Sequence, residues 1–328
     1  GAGTFSDGKL ICRIGDGATE NVLEMLHSLG APEDILYNAK PHIGTDILRT
    51  VVKNAHDRIV SLGGEIRYRT RAHGITDRTV TAGGEKMDYG ALVIACGHSA
   101  RDTYRELISS SFAVEPKPYS VGVRIEHLRS RIDEALYGEF AGILPSAEYS
   151  LSKRSGDRGV YSFCMCPGGE VIVASSQEGG VVTNGMSYRD RASGAANSAL
   201  LCDVRVTDFG SEDVLAGVEF QEKYERLAFQ NGGGNYHAPK STWGRLRDSK
   251  APVEGSLPEF AAQAFREAMP HLGKKIKGFD DDPAIVTAVE TRSSSPVRII
   301  RDESMQGQMQ NEAETVILDG LYPCGEGA

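Results

Sequence analysis

The nine residues Tyr89-Gly-Ala-Leu-Val-Ile-Ala-Cys-Gly97 constrain this chain more than any others. An uninterrupted apolar run closed by small residues is the pattern of a central parallel strand buried on both faces. The residues before it fit that setting. Ile47, Leu48, Val51, Val52, Ala55, Ile59 and Leu62 recur at three- and four-residue steps, which predicts a helix opening after Thr45 or Asp46 and stopping at Gly63-Gly64. Ile66 and Tyr68 alternate with charged residues, predicting a half-exposed strand over residues 65–71. Arg78-Thr-Val-Thr-Ala82, the pair Gly83-Gly84 and Glu85-Lys-Met-Asp-Tyr89 predict a small hairpin.

From about residue 112 the texture changes to strand-like pieces mixed with two helices. Pro116 and Pro118 mark the transition. Strands are predicted over residues 119–125, 161–166, 171–175 and 199–206. Helices are predicted over residues 212–230, ended by Asn231-Gly-Gly-Gly234, and 258–269, with proline in the first turn. Beyond Pro283, residues 284–290 and 315–318 are expected to carry the chain back to the first domain.

Length and charge narrow the partners. A chain of 328 residues fits about two domains. Its net charge of −9 offers no broad cationic surface to a phosphate backbone, so nucleic acid is not expected as a partner. No apolar run approaches the roughly 20 residues of a membrane span. The visible start lacks the basic flank and apolar stretch of a signal peptide, and a cytoplasmic setting is expected. The six cysteines include no C-x-x-C pair, so no metal is expected. The 38 glycines concentrate in short motifs, as where backbone packs against a ligand.

Gly1-Ala-Gly-Thr-Phe-Ser6 is not a dinucleotide loop: its sixth position is Ser6, and no strand precedes it. The informative pair is the run ending at Gly97 and the later Glu314-Thr-Val-Ile-Leu-Asp-Gly-Leu-Tyr-Pro-Cys-Gly-Glu326. The second is a short strand, a glycine, two apolar residues and then glycine before an acid able to accept hydrogen bonds from a sugar-like chain. In this order they resemble the second and last signatures of two-dinucleotide-binding FAD oxidoreductases. Ile94-Ala-Cys-Gly-His-Ser-Ala-Arg-Asp-Thr103, Cys164-Met-Cys-Pro-Gly-Gly169, Asn184-Gly-Met-Ser187 and Glu290-Thr-Arg-Ser-Ser-Ser-Pro-Val-Arg-Ile299 sharpen the likeness. Together they resemble the uncharacterised FAD-dependent dehydrogenases, a likeness spanning nearly the whole chain.

The resemblance implies an α/β fold: an incomplete two-dinucleotide-binding-type FAD domain from residues 1–112 and 284–328, with an inserted mixed β-rich α+β substrate or cap domain over residues 113–283. The family's opening Gly-x-Gly-x-x-Gly unit and its closing helix are not found, which makes FAD retention by this stretch alone doubtful. Implied cofactor-binding residues are Gly3, Thr4, Ser6, Asp7, Gly8 and Lys9 beside the cofactor, Ala72 near adenine, and Ala95, Cys96, Gly97 and His98 along the dinucleotide. Gly325, Glu326, Gly327 and Ala328 would meet the pyrophosphate and ribityl chain.

Four residues are candidates for chemistry. Cys164 and Cys166, two apart on a strand, are either a reactive pair or two small core side chains. His98 is either a proton donor beside the flavin or a hydrogen-bonded structural histidine. Arg292 either grips a substrate carboxylate or forms an inter-domain salt bridge. The expected activity is oxidoreduction of a small organic substrate, with NAD(P)H a possible transient donor. Its rivals are a non-catalytic flavin-sensing or scaffold protein and a flavin-dependent RNA-modifying enzyme. Oligomeric state is left open.

Overall fold

The computed structural model describes residues 7–10, 17–310 and 314–328; Gly3, Thr4 and Ser6 lie outside them. It shows a mixed α/β chain divided into two compact units, one of Gly1–Ile66, Gly122–Cys202 and Leu227–Glu290, the other of Arg67–Val121, Asp203–Arg226 and Thr291–Ala328. The division differs from the sequence-drawn limits at 112 and 283.

The first unit is built on a six-stranded sheet with the order Lys240–Thr242, Ile285–Glu290, Tyr119–Leu128, Ala195–Val204, Arg158–Pro167, Ser152–Ser155. Its two middle strands are buried at nearly every position, polar residues such as Arg124 and Asn197 included. Helix Glu259–Gly273 turns Ala261, Ala262, Ala264, Phe265, Ala268, Met269 and Leu272 inward. These positions repeat at three- and four-residue steps, and emptying one large member, as in Phe265→Ala, costs about 3–5 kcal/mol. A satellite core of Ala31, Ile35, Ile43 and Val51 gathers the helices Gly17–Ser28 and Thr45–Ser61.

The strand of residues 284–290 does not leave this unit. It pairs antiparallel with both Lys240–Thr242 and Tyr119–Leu128, so a run expected to return to the first domain is an inner strand of the sheet. An apolar run announces burial but not its neighbours, which are set by pairing far away in sequence.

The second unit has its own core of Ile75, Ile94, Tyr104, Leu107, Phe112, Val218, Val297, Ile299, Leu318 and Leu321. The hairpin forms as predicted, Thr79–Ala82 against Glu85–Asp88, with Gly83 and Gly84 at φ +60° and +87°. A two-residue turn with both φ positive matches strand twist, and only glycine adopts it twice without strain. Residues 65–71 form no strand; the chain turns at Tyr68 and Arg69, the latter at φ +54°, before the short strand Ala72–His73. Two apolar residues with no ladder partner do not hold an extended segment. Strand Leu92–Ile94 pairs parallel with Leu321–Pro323. Its burial departs from expectation: Ile94 is buried but Val93 is 59% exposed, so one face of this strand is open.

Candidate functional site

The parallel pair in the second unit joins the two glycine motifs. Leu321, Tyr322 and Pro323 lie opposite Leu92, Val93 and Ile94, and the Cys324 amide donates to the Ile94 carbonyl at 2.9 Å. Residues 95–98 and 324–328 therefore leave this two-stranded sheet at the same, carboxyl, end. Gly97 and Gly325 have φ +71° and +83°, and beyond its chain neighbours neither has a described atom within 4 Å of where a Cβ would stand. Ala95 and Cys96 are exposed; Gly327 is buried, its carbonyl accepting from the Ile299 amide at 2.9 Å, and Ala328 closes the turn on the Gly325 carbonyl.

Two ionisable groups face each other across these loops. Glu326 Oε2 accepts from the Ser295 amide and the Ser294 hydroxyl, each at 3.1 Å, and lies 3.6 Å from Lys117 Nζ. Burial pulls its pKa upward, but those donors and Lys117 outweigh it and lower it. His98 is half-buried, and its Nδ1 is enclosed without a hydrogen-bond partner among the described residues. Burial lowers its pKa; Glu326 opposes this, while Arg292 and Arg101 add to it. The imidazole is thus neutral near pH 7.

Beneath them is a buried charge cluster that the sequence did not disclose. Glu225, on helix Ala216–Asn231, accepts two bonds from Arg101 at 2.9 and 2.8 Å, two from Arg292 at 3.1 and 2.8 Å, and one from the Thr291 hydroxyl at 2.7 Å. Burial would raise its pKa, but hydrogen bonds from Arg292 and Arg101 hold it down to about 2. Arg292 thus forms a salt bridge with Glu225, both residues lying in the second unit. Arg292 Nη1 also reaches Ser99 Oγ at 2.9 Å, tying the cluster to the loop after Gly97. Ala72 is exposed, and its chain neighbours Arg71 and His73 line an open cavity of about 540 Å³ with Gly83, Gly84 and Glu106.

Asp7, Gly8, Lys9, Cys164 and Cys166 fall in the first unit. Residues 8–10 run against 41–43, bonded from Leu10 N to Pro41 O and from Ile43 N to Gly8 O. Asp7, 1% exposed, accepts from Ser187 Oγ and from Arg191 Nη2, the latter at 2.9 Å. Lys9 Nζ lies 3.2 Å from Asp7 Oδ2, 3.8 Å from Cys164 Sγ and 3.6 Å from Cys166 Sγ. One ammonium thus serves both thiols.

The strand carrying those cysteines is irregular at that point. Phe163 pairs with Ala199 and Cys166 with Asn197, so Cys164 and Met165 together oppose the single residue Ser198. This is a β-bulge, with Cys164 at φ +44°, a conformation normally left to glycine. The Cys164 carbonyl accepts from buried Arg124 at 2.9 Å; Arg124 also donates to Asn197 and Asn184 and grips Glu290 with two bonds. Gly185 is glycine because a Cβ there would lie 2.4 Å from Arg124 Nη1 and 2.9 Å from Cys166 Sγ. A hydrogen bond from Cys166 lowers the Cys164 pKa to about 5, aided by Lys9 and Arg124 against burial, while the Cys166 pKa is raised.

Arg124, Arg101 and Glu225 were missed in the sequence. Arg124 did leave a mark, as the one charge inside Val121-Gly-Val-Arg-Ile125. Glu225 shares a helix face with Gln221, which also accepts from Arg101, but that spacing looks the same on a solvated face.

Among the described residues no helix is long and apolar enough to cross a membrane. An uncharacterized protein of Clostridium beijerinckii is 41% identical over 355 aligned positions, which take in 100% of this chain and 65% of that protein. The chain therefore spans less than two thirds of that relative's length. The crystal structure of CtdE in complex with FAD is similar over 88% of this chain and 54% of that one, with 11% identity and a TM-score of 0.30, too weak a likeness to bear on fold or function. Residues 118–293 match the family of FAD-dependent proteins described as C-terminal domain-like. That match takes in more than half of the residues, and the chain belongs to this family of FAD-dependent proteins.

Proposed function

We propose that the protein is an FAD-dependent oxidoreductase whose flavin nucleotide is held by residues 95–98 and 324–328. The observation that carries this reading is the parallel register placing Cys324 on the Ile94 carbonyl, which brings two dinucleotide-type loops to one sheet end. The residues present fit the cofactor: open space stands over Gly97 and Gly325, and a ring nitrogen of His98 is left without a hydrogen-bond partner among the described residues. When bound, FAD supplies the transfer of an electron pair to or from a small organic substrate.

The protein's own groups have separable tasks. The backbone at Gly97 and Gly325 admits a phosphate or sugar closely. Glu326, kept ionised by Lys117, Ser294 and Ser295, accepts hydrogen bonds from hydroxyls of a sugar-like chain. His98, neutral near pH 7, accepts a hydrogen bond or proton at Nδ1. Arg292 acts by position, fixing Ser99 and hence the 97–99 loop while Glu225 neutralises it. The 540 Å³ cavity lined by Arg71 and His73, on either side of Ala72 in the chain, is the one we assign to the adenine end. NAD(P)H is the donor class to test first.

The test is anaerobic reduction of flavin bound to the full-length protein, followed at the flavin absorption band. Bleaching by NADH or NADPH and return of the band on adding an oxidant are expected. Bound flavin that no nicotinamide or thiol donor bleaches contradicts the oxidoreductase reading and leaves FAD a structural or sensing role. Tight, salt-sensitive tRNA binding would instead favour RNA modification, against the acidic charge balance.

A further inference from the structure

We infer that Cys164 and Cys166 form a redox-active dithiol that exchanges with low-molecular-weight disulfides, with Cys164 the attacking thiolate, Cys166 the resolving thiol and Lys9 the cation serving both. The site lies wholly within the first unit and does not rest on the flavin assignment.

Three independent observations converge on it. Lys9 Nζ is 3.8 and 3.6 Å from the two sulfurs, although Lys9 and the cysteines are more than 150 residues apart in sequence. Asp7 at 3.2 Å already compensates the Lys9 ammonium, and the same ammonium, set within 3.8 Å of both sulfurs, favours a thiolate there over a neutral thiol. Next, Cys164 occupies the left-handed position of a bulge, where a non-glycine residue is strained; bulges of this kind re-aim a side chain beside active sites. Finally, burial is divided as exchange requires. Cys164 is half-buried, while Cys166 is 0% exposed.

The exchange balances with a disulfide RSSR as oxidant. The Cys164 thiolate attacks one sulfur, forming a Cys164–SR bond and breaking the S–S bond of RSSR, and the first RS⁻ leaves. Cys166 then gives up its proton, which the departing thiolate takes, and attacks Cys164 Sγ. The Cys164–SR bond breaks, the Cys164–Cys166 bond forms, and the second RS⁻ leaves and is protonated from water. Two protein thiols lose two electrons and RSSR becomes two RSH. Lys9 and Arg124, which donates to the Cys164 carbonyl, hold the thiolate and its backbone in place.

The probe is oxidised glutathione, and the protein carries its own references: Cys96 and Cys324 are free and exposed. At about pH 6 iodoacetamide should alkylate Cys164 at least about tenfold faster than either reference, because the thiolate is the nucleophile and Lys9 stabilises it at Cys164. After oxidised glutathione, peptide mapping should show a Cys164–Cys166 disulfide, and Cys166→Ser should stop at a Cys164–glutathione adduct. Lys9→Gln should slow Cys164 alkylation about tenfold, with Lys9→Arg retaining it. The wild-type measurements need no variant to fold. Alkylation of Cys164 no faster than that of Cys96 and Cys324 overturns the proposal, as does a wild-type glutathione adduct that persists without a 164–166 bond.

Discussion

The amide of Cys324 donates to the carbonyl of Ile94 at 2.9 Å, although the two residues are separated by most of the second unit's sequence. This bond extends the parallel register of Leu321–Pro323 and Leu92–Ile94 by one residue and sets where both following loops begin. Strand and loop chemistry thus meet at one backbone contact.

Gly97 is the most direct probe of those loops. Its φ of +71° is strained for any side chain, most of all a β-branched one, although a Cβ meets nothing within 4 Å. Gly97→Val should therefore cost about 1–2 kcal/mol of stability through backbone strain. It should also weaken FAD binding by about tenfold or more by displacing the loop. Thermal melts and flavin titration read the two effects separately, and unchanged flavin affinity would place the cofactor elsewhere.

Glu225 gives the second unit a distinct acid sensitivity. Its folded pKa of about 2 lies below the ordinary 4.5, so its contribution is complete above about pH 4.5 and is lost as pH falls towards 2. The shift corresponds to about 3 kcal/mol. Replacing it by Glu225→Gln leaves two buried guanidiniums short of countercharge, a loss of about 3–5 kcal/mol at neutral pH. Denaturant melts across that pH window should show the wild-type stability slope and a flatter one for the variant.

Gly185 marks the tightest approach around the thiols. Gly185→Ala brings a methyl against Arg124, Asn197 and Cys166, and should cost about 1–3 kcal/mol through overpacking. The same substitution should change the iodoacetamide rate at Cys164, whose carbonyl Arg124 holds. A stable variant with an unaltered rate would show that the Arg124 network does not govern the thiol.

His98 should remain neutral where a free histidine has begun to protonate. Burial lowers its pKa below 6.5 and Arg292 and Arg101 add to the effect, so nitrogen-detected NMR should find the uncharged ring at pH 6.5. In Glu225→Gln the nearby guanidiniums are less compensated, and the His98 pKa should fall further.

Local signals were legible where local chemistry decides the outcome. Gly83-Gly84 fixed its hairpin because both positions need positive φ, and the three- and four-residue repeat over Ile47–Leu62 marked the helix Thr45–Ser61. The two glycine motifs pointed to loops that do sit side by side. What failed depended on pairing across the chain. The apolar run of residues 284–290 gave its burial but not its partners, and Val93 lies open although its strand reads as buried on both faces. Cys164 and Cys166 were visible as a pair, but neither the bulge nor Lys9, brought from the far end of the unit's sequence, leaves a trace in that segment. The sequence left Arg292 between a substrate grip and a salt bridge because Glu225 is indistinguishable from any helical glutamate.

Amide hydrogen exchange of the full-length protein with and without FAD tests the flavin assignment most directly. Slowed exchange on FAD addition at residues 95–99 and 324–328 is expected, since both loops start from the joined Ile94 and Cys324 and would close over one ligand. Exchange at those two segments unchanged by FAD, whether protection appears elsewhere or nowhere, contradicts it.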